Sequence, residues 1–494
     1  MPAHFRGIDG LRALAILGVI AFHTRPSLLQ GGFIGVTMFF VITGFLATRS
    51  VLNMVDRTGS FGYGRYLIRR ITRLWPVMLA TIAVVPWLTW MFAPSLLQKV
   101  VSDSLPSALF ASNWVYIFRK VPYFEAAGLP SPLTHLWFLG VTMQFYLVWP
   151  LLMVVLGKIT KSKWVRSMAI LVIMAASTAA MVLLFDPANT SRVYYGTDTR
   201  LAELAAGALL AIWIAPSSRG TEAAEAGAAS QTVQIERQAG DKTGTRLTIV
   251  CNVLGTAALA ALLAGFWFAN GYLSYMYQGG YLITAFISLC ALACAVNNDS
   301  IWSRVLGCAP LRYIGSRSFS LYVMHYPLLQ FMNPATRTQA LPWWGWVLEA
   351  VVVLAASEAF YQLVEAARKS VQMPRSQHAK PLPKAGYRLR PGAWVMSVIG
   401  LVTVVALTWA PVDWNGIAQA RAIQLRPELA APAKPVKSLL PRMPRTAKPI
   451  PLTRIRTVRI LSRPSSNRLR KRCQTILTFR STPMIRQRKA ATRI

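Results

Sequence analysis

The sequence predicts an all-α fold, a polytopic bundle of transmembrane helices. Three observations carry this. The 494-residue chain is 54% hydrophobic and only 14% charged, whereas a soluble domain is about a quarter charged. Mean hydropathy is +0.41. Apolar runs long enough to cross a bilayer, about 17–25 residues each, recur along the chain.

The apolar pattern places eleven spans at roughly 8–24, 32–50, 75–93, 136–157, 165–185, 200–214, 247–269, 279–297, 316–334, 342–366 and 393–411. The first reads as a span and not as a signal peptide. Asp9 and Arg12 lie inside its start, and no small-residue cleavage site follows. The region 101–118 adds a re-entrant or interfacial piece. No internal repeat stands out. Residues 371–392 form a basic linker and residues 215–245 a polar loop rich in Gly, Ala, Glu and Ser. Residues 412–494 are Pro-, Ser- and Arg-rich and predict a disordered basic tail.

Net charge is +36, which could suggest a nucleic-acid partner. The distribution excludes that reading. The tail holds 20 of 53 Lys+Arg against 2 of 17 Asp+Glu. Much of the remainder sits in alternate loops: Arg57 to Arg73, Lys158 to Arg166, and Arg368 to Arg390. The positive-inside rule then sets the N-terminus in the cytoplasm of a multi-pass plasma or inner membrane protein. It puts the tail outside, where a basic segment is unusual, although long segments escape the rule. Cys251, Cys290, Cys294 and Cys308 lie in or beside apolar runs without His or acidic partners. They predict packing, with neither a disulfide nor a metal.

Several polar residues interrupt the spans. In "GIDGLRALAILGVIAFHTRP", Arg12 and His23 are eleven positions apart, three helical turns plus about 20°. They share a face with Asp9 and are separated by a rise of about 16 Å. An ionisable group in lipid is expensive and should face the bundle interior. A snorkelling arginine and a histidine at the water boundary would give the same pattern. His325, in "SFSLYVMHYPLL", and His135, before Gln144, are two further histidines in or at the edge of spans. Three such histidines favour a shared site, and histidine suits general-base work. "RYLIRRITRLWP" supplies Arg65, Arg69, Arg70 and Arg73, either a membrane anchor or a phosphate site. Asp198 and Arg200 stand at the mouth of the sixth span, where Asp198 also suits a helix N-cap. Glu358 lies deep in the tenth span.

Taken together, these segments resemble the acyltransferase-3 family of membrane O-acyltransferases. "IDGLRALAILGVIAFH" is similar to its first-helix signature and "GVTMFFVITGFL" to its second, with Thr43 where Ser is common. "RRITRLWP" resembles its Arg-x-x-Arg segment. "HLWFLGVTMQFYLVWPLL", "YYGTDTRLAELAAGALLA", "YIGSRSFSLYVMHYPLL" and "LVEAARK" follow in the family's order, so the resemblance covers roughly residues 5–370. It implies transfer of an acyl group, often acetyl, from acyl-coenzyme A in the cytoplasm to a hydroxyl of a surface carbohydrate or related envelope molecule. It implies His23 as catalytic histidine with Arg12 as partner, and Arg70 and Arg73 on the donor side with Arg69 beside them. His325 matches another recurrent position. Asp9 completes the catalytic face, while His135, Gln144, Asp198, Arg200 and Glu358 would serve the substrate side. No metal is implied.

Two departures stand out. The family usually carries Glu where this chain has Thr142. Some members also continue past an eleventh helix into an extracytoplasmic SGNH hydrolase-like domain. The tail here has no Gly-Asp-Ser block, so a member that has lost that domain is expected. Two rival functions remain: a transporter or flippase of an envelope precursor, and an inactive membrane scaffold.

Overall fold

The computed structural model describes residues 5–24, 29–124, 130–214, 232–332, 341–369, 391–409 and 412–425. All belong to one unit, Met1–Pro432. Among the described residues there are helices and connections but no strand. The helices are α1 (Arg6–Thr24), α2 (Ile34–Thr58), α3 (Tyr63–Phe92), α4 (Leu97–Ala108), α5 (Ser112–Phe118), α6 (Trp137–Ile159), α7 (Lys163–Leu183) and α8 (Ser191–Tyr195). There follow α9 (Thr197–Ile214), α10 (Thr232–Phe268), α11 (Gly280–Val296), α12 (Ile301–Leu306), α13 (Ala309–Met332), α14 (Trp343–Lys369), α15 (Pro391–Trp409) and α16 (Trp414–Leu425).

Each of the eleven predicted spans falls on a helix. Among the described residues, seven helices are long and apolar enough to cross a membrane alone, or eight if the bent pair α15–α16 is one span. Three boundaries differ from expectation. α3 begins at Tyr63 and not near residue 75, so the arginine cluster forms its first turns. Arg and Leu are good helix formers, and between Gly64 and Pro76 no Gly or Pro intervenes to stop the helix. α10 starts at Thr232, inside the segment predicted as a polar loop. α16 covers Trp414–Leu425, at the start of the segment predicted as disordered. There Arg421 lies over the Trp90 ring at 4.9 Å and Ala418 is buried, giving this piece contacts its composition did not advertise. The rest of the tail, and most of the basic linker, lie outside the described residues.

The burial pattern sorts inner from outer helices. The spanning window of α2 is 72% buried, against 22% in α14 and 28% in α7 and α10. α14 leaves Val347, Val351 and Leu354 about half exposed, an apolar surface that suits lipid. α1 and α2 sit inside. α1 packs against α2, α11, α12 and α13, and α2 against α9.

Close helix approach depends on small residues, as membrane bundles require. A Cβ on Gly44 would lie 1.7 Å from the Leu204 carbonyl oxygen, and one on Gly207 1.9 Å from that of Val41. The α2–α9 crossing therefore has room for glycine alone on both sides. Gly207→Ala should cost about 1–3 kcal/mol through overpacking. Thermal unfolding of the purified protein in detergent measures it, and an unchanged transition temperature would refute the tight crossing.

Two local features position the site. α5 ends in a Schellman turn: the Val121 N–H donates to the Tyr116 carbonyl at 2.9 Å and the Lys120 N–H to Ile117 at 3.0 Å. Lys120 adopts φ 51°, where glycine is usual, and the turn sends Tyr123 into the bundle. In α13, Pro327 has no N–H to donate to the carbonyl four residues earlier, Val323. That carbonyl is left for a side chain.

Candidate functional site

The site is built from two parts joined along α1. The first is a histidine cluster. His325 Nδ1 is 2.9 Å from the Leu321 carbonyl, which can only accept, so Nδ1 carries the proton and Nε2 the lone pair. His325 Nε2 is 3.2 Å from His23 Nδ1. His23 Nδ1–H therefore donates to His325, and the basic lone pair of His23 is on Nε2. The Tyr123 hydroxyl donates to that Nε2 at 3.0 Å. Burial pushes the Tyr123 hydroxyl above its ordinary pKa, which keeps it a donor. His135 completes the cluster, its ring centroid 6.0 Å from that of His325. His135 Nε2–H donates to the Val323 carbonyl that Pro327 leaves open, at 3.2 Å. The Tyr322 hydroxyl donates to the His135 carbonyl.

The second part is a slot at the Arg12 end of α1. Arg12, Arg70, Arg73, Thr142, Tyr146 and Tyr322 are among the residues lining it. Its volume is about 100 Å³. Arg70 lies over the rings of Tyr66 at 5.0 Å and Tyr146 at 4.8 Å, so its guanidinium is held in place by cation–π contacts. Arg70 and Arg73, three apart on α3, share a face; Arg69 does not line the slot. Arg12 also meets Asp9 at 3.6 Å. Tyr322 links the two parts: it lines the slot and its ring is 5.8 Å from that of His325. No carboxylate is among the described residues lining the slot, and Thr142 occupies the position where the family resemblance anticipates Glu.

The remaining predicted residues fall elsewhere. Gln144 donates to the Phe110 carbonyl and to Asn113 Oδ1, both at 2.9 Å, and accepts from Trp114 and Thr197; it ties α5 to α6 and α9. Asp198 pairs with Arg192 at 2.6 Å. Partial burial would raise its pKa, but the bonds from Arg192 hold it below the usual carboxylate value. Glu358 pairs with Arg317 at 2.5 Å, two turns along α13 from His325. Arg200 is fully buried and pairs with Glu203 at 3.1 Å. Its guanidinium lies 4.1 Å over the Tyr281 ring and 5.3 Å over Tyr194, which in turn stacks on Tyr123 at 4.4 Å. Arg200 thus supports the ring that supports the partner of His23.

Sequence reasoning missed Tyr123, Glu203 and the role of Pro327. Glu203, three residues after Arg200, and Pro327, two after His325, were legible as spacings. Tyr123 lies in a loop and carried no signal. Among the described residues, no group of three or more His, Cys, Asp or Glu is arranged to hold a metal.

Comparison with known proteins shows the family. The acyltransferase domain family matches residues 5–361. The chain belongs to the acyltransferase-3 family. As a member it resembles the peptidoglycan O-acetyltransferase OatA of Listeria monocytogenes, at 33% identity over 404 residues, 81% of this chain and 61% of that one. It also resembles the O-acetyltransferase OatA of Staphylococcus aureus, at 31% over 364 residues, 74% of this chain and 57% of the relative. The chain thus spans 61% and 57% of the lengths of these relatives. No solved structure matches it. The family match ends within α14, so α15 and α16 lie beyond the acyltransferase-3 core.

The hydrogen bond from His23 to His325 yields a prediction. A bond to a group that gains charge is worth about 1.5–3 kcal/mol. His325→Ala should therefore lower kcat at least about tenfold. His325→Gln, which keeps an acceptor oxygen, should retain more activity. Equal loss in both variants would argue against tautomer control.

Proposed function

We propose that this chain is an integral membrane O-acyltransferase. It moves an acyl group, acetyl by preference, from acyl-coenzyme A to a hydroxyl of a cell-envelope polysaccharide. The observation that carries the reading is the continuity of the site: three arginines line one end of a slot, and Tyr322 joins that slot to the histidine cluster. Family membership and the names of the relatives support acyl transfer and an envelope polymer as acceptor.

The mechanism follows from the groups. Arginine forks match phosphate oxygens, so Arg70 and Arg73 hold the donor's diphosphate. In this reading the pantetheine arm runs along the slot toward the histidine cluster. With the positive-inside orientation, the arginine end faces the cytoplasm and the His23 end faces outward. The acceptor arrives from that outer side and displaces the Tyr123 hydroxyl from His23 Nε2. His23 Nε2 takes the proton of the acceptor hydroxyl. The hydroxyl oxygen bonds to the acyl carbon, the carbon–sulfur bond breaks, and the thiolate leaves with the proton from His23. The bond to His325 fixes the tautomer that makes this possible and stabilises the imidazolium that forms.

The test is transfer of radiolabelled acetyl from acetyl-coenzyme A to envelope polysaccharide by purified protein in liposomes. The proposal expects label in ester linkage. Label-independent movement of an envelope precursor would instead favour a flippase. The scaffold reading rests on Thr142 in place of Glu. Inert wild type with activity gained by Thr142→Glu would establish it.

A further inference from the structure

The seam between α1 and α13 opens into two cavities. The slot takes Arg12 from α1 and Ser318, Phe319 and Tyr322 from α13. Nearer the start of both helices lies a roomier, open cavity of about 630 Å³, lined by Arg6, Asp9, Ala309, Arg312, Tyr313 and Ser316, of which Arg6, Ala309, Tyr313 and Ser316 are exposed. Arg6 precedes Arg12 by six residues, and Arg312 precedes Phe319 by seven. At the helical rise, the two cavities are about 10 Å apart. Neither Arg6 nor Arg312 has an acidic partner among the described residues, whereas Asp9 is drawn to Arg12 at 3.6 Å. Ser316 is already engaged, donating to the Tyr313 carbonyl at 2.8 Å and accepting from Arg317 at 3.0 Å. Two arginine forks are left to meet an anion.

We propose that this cavity binds a second phosphate group of the donor, the 3′-phosphate on the ribose of acyl-coenzyme A. The inference rests on the acyl-coenzyme A reading above. Two arginine-lined cavities at about 10 Å separation ask for a ligand with two separate anionic groups. Coenzyme A has them, a diphosphate and a ribose phosphate. An acyl phosphate or a protein-bound phosphopantetheine has only one. The same arginines suit the phosphate of a lipid headgroup, so the experiment separates the two sources.

Purified full-length protein is reconstituted in phosphatidylcholine, alone or mixed with phosphatidylglycerol. KM is measured for acetyl-coenzyme A and for acetyl-3′-dephospho-coenzyme A. Wild type should prefer the first donor by roughly tenfold in KM, about one charge-assisted contact. In the Arg6→Gln/Arg312→Gln variant the ratio of the two KM values should collapse to about one, in both membranes. A wild-type ratio of about one, which needs no variant, overturns the proposal. So does a ratio that survives the double substitution. An effect confined to phosphatidylglycerol membranes and equal for both donors assigns the cavity to lipid and also overturns it. Absence of His23-dependent transfer from either donor would instead remove the acyl-coenzyme A reading itself.

Discussion

His23→Ala is expected to lower acyl transfer about 10²–10⁴-fold, the range that a positioned general base contributes. The reasoning is geometric. His23 Nδ1–H is committed to His325, at 3.2 Å, which directs the lone pair of Nε2 to the side where Tyr123 stands at 3.0 Å. His325 has both ring nitrogens engaged, by Leu321 and by His23. His135 is held through Nε2 by Val323; it keeps a buried Nδ1 lone pair with no partner among the described residues and lacks the hydroxyl that faces His23 Nε2. Arg12 lies about 16 Å away along α1 and His23 is not among the residues lining the slot, so the substitution should leave donor binding in place. Two measurements check this together: transfer of acetyl to the acceptor, and affinity for a non-hydrolysable acyl-coenzyme A analogue. Full transfer by a correctly folded His23→Ala protein would sink the assignment. Loss of donor affinity alongside transfer would show a structural role in place of a chemical one.

Glu203→Ala is expected to destabilise the protein by about 3–5 kcal/mol, because it strands a buried charge. Arg200 and Glu203 are 0% and 1% exposed and meet at 3.1 Å. Around them stand Phe40, Trp137, Tyr194 and Tyr281, whose faces accommodate the guanidinium only in part. Removing the carboxylate leaves the cation without its counter-ion in an apolar interior. Removing both charges should be milder, since an apolar pair of similar volume avoids the desolvation cost. Unfolding of Glu203→Ala and of Arg200→Met/Glu203→Leu in mixed micelles makes the comparison. If the single variant is no less stable than the double one, the pair is not acting as a buried ion pair. Because Tyr194 touches both Arg200 and Tyr123, the single variant should also disturb the group facing His23.

Much of this was legible in the chain. Hydropathy alone located the helices on which the eleven spans fall, since a span of apolar residues in lipid must satisfy its backbone internally and a helix does so. The Arg12–His23 spacing put both on one face before any neighbour was known. The arginine cluster was legible as chemistry and misread as structure: it lies on α3, where Arg70 and Arg73 line the slot and Arg69 does not. Gln144 and Glu358 looked alike as polar residues within spans. The structure gives both of them local partners, in a helix junction and in an ion pair with Arg317.

The sequence by itself determined the class, the order of the spans and the residues able to do chemistry, because these follow from composition and from the period of one helix. Tertiary structure alone decided which of those residues meet. His23 and His325 are 302 positions apart and touch at 3.2 Å. Tyr123 reaches His23 through a loop whose entry is set by a left-handed Lys120. Contacts of this kind depend on how helices cross and how loops turn, which periodicity along one helix does not encode.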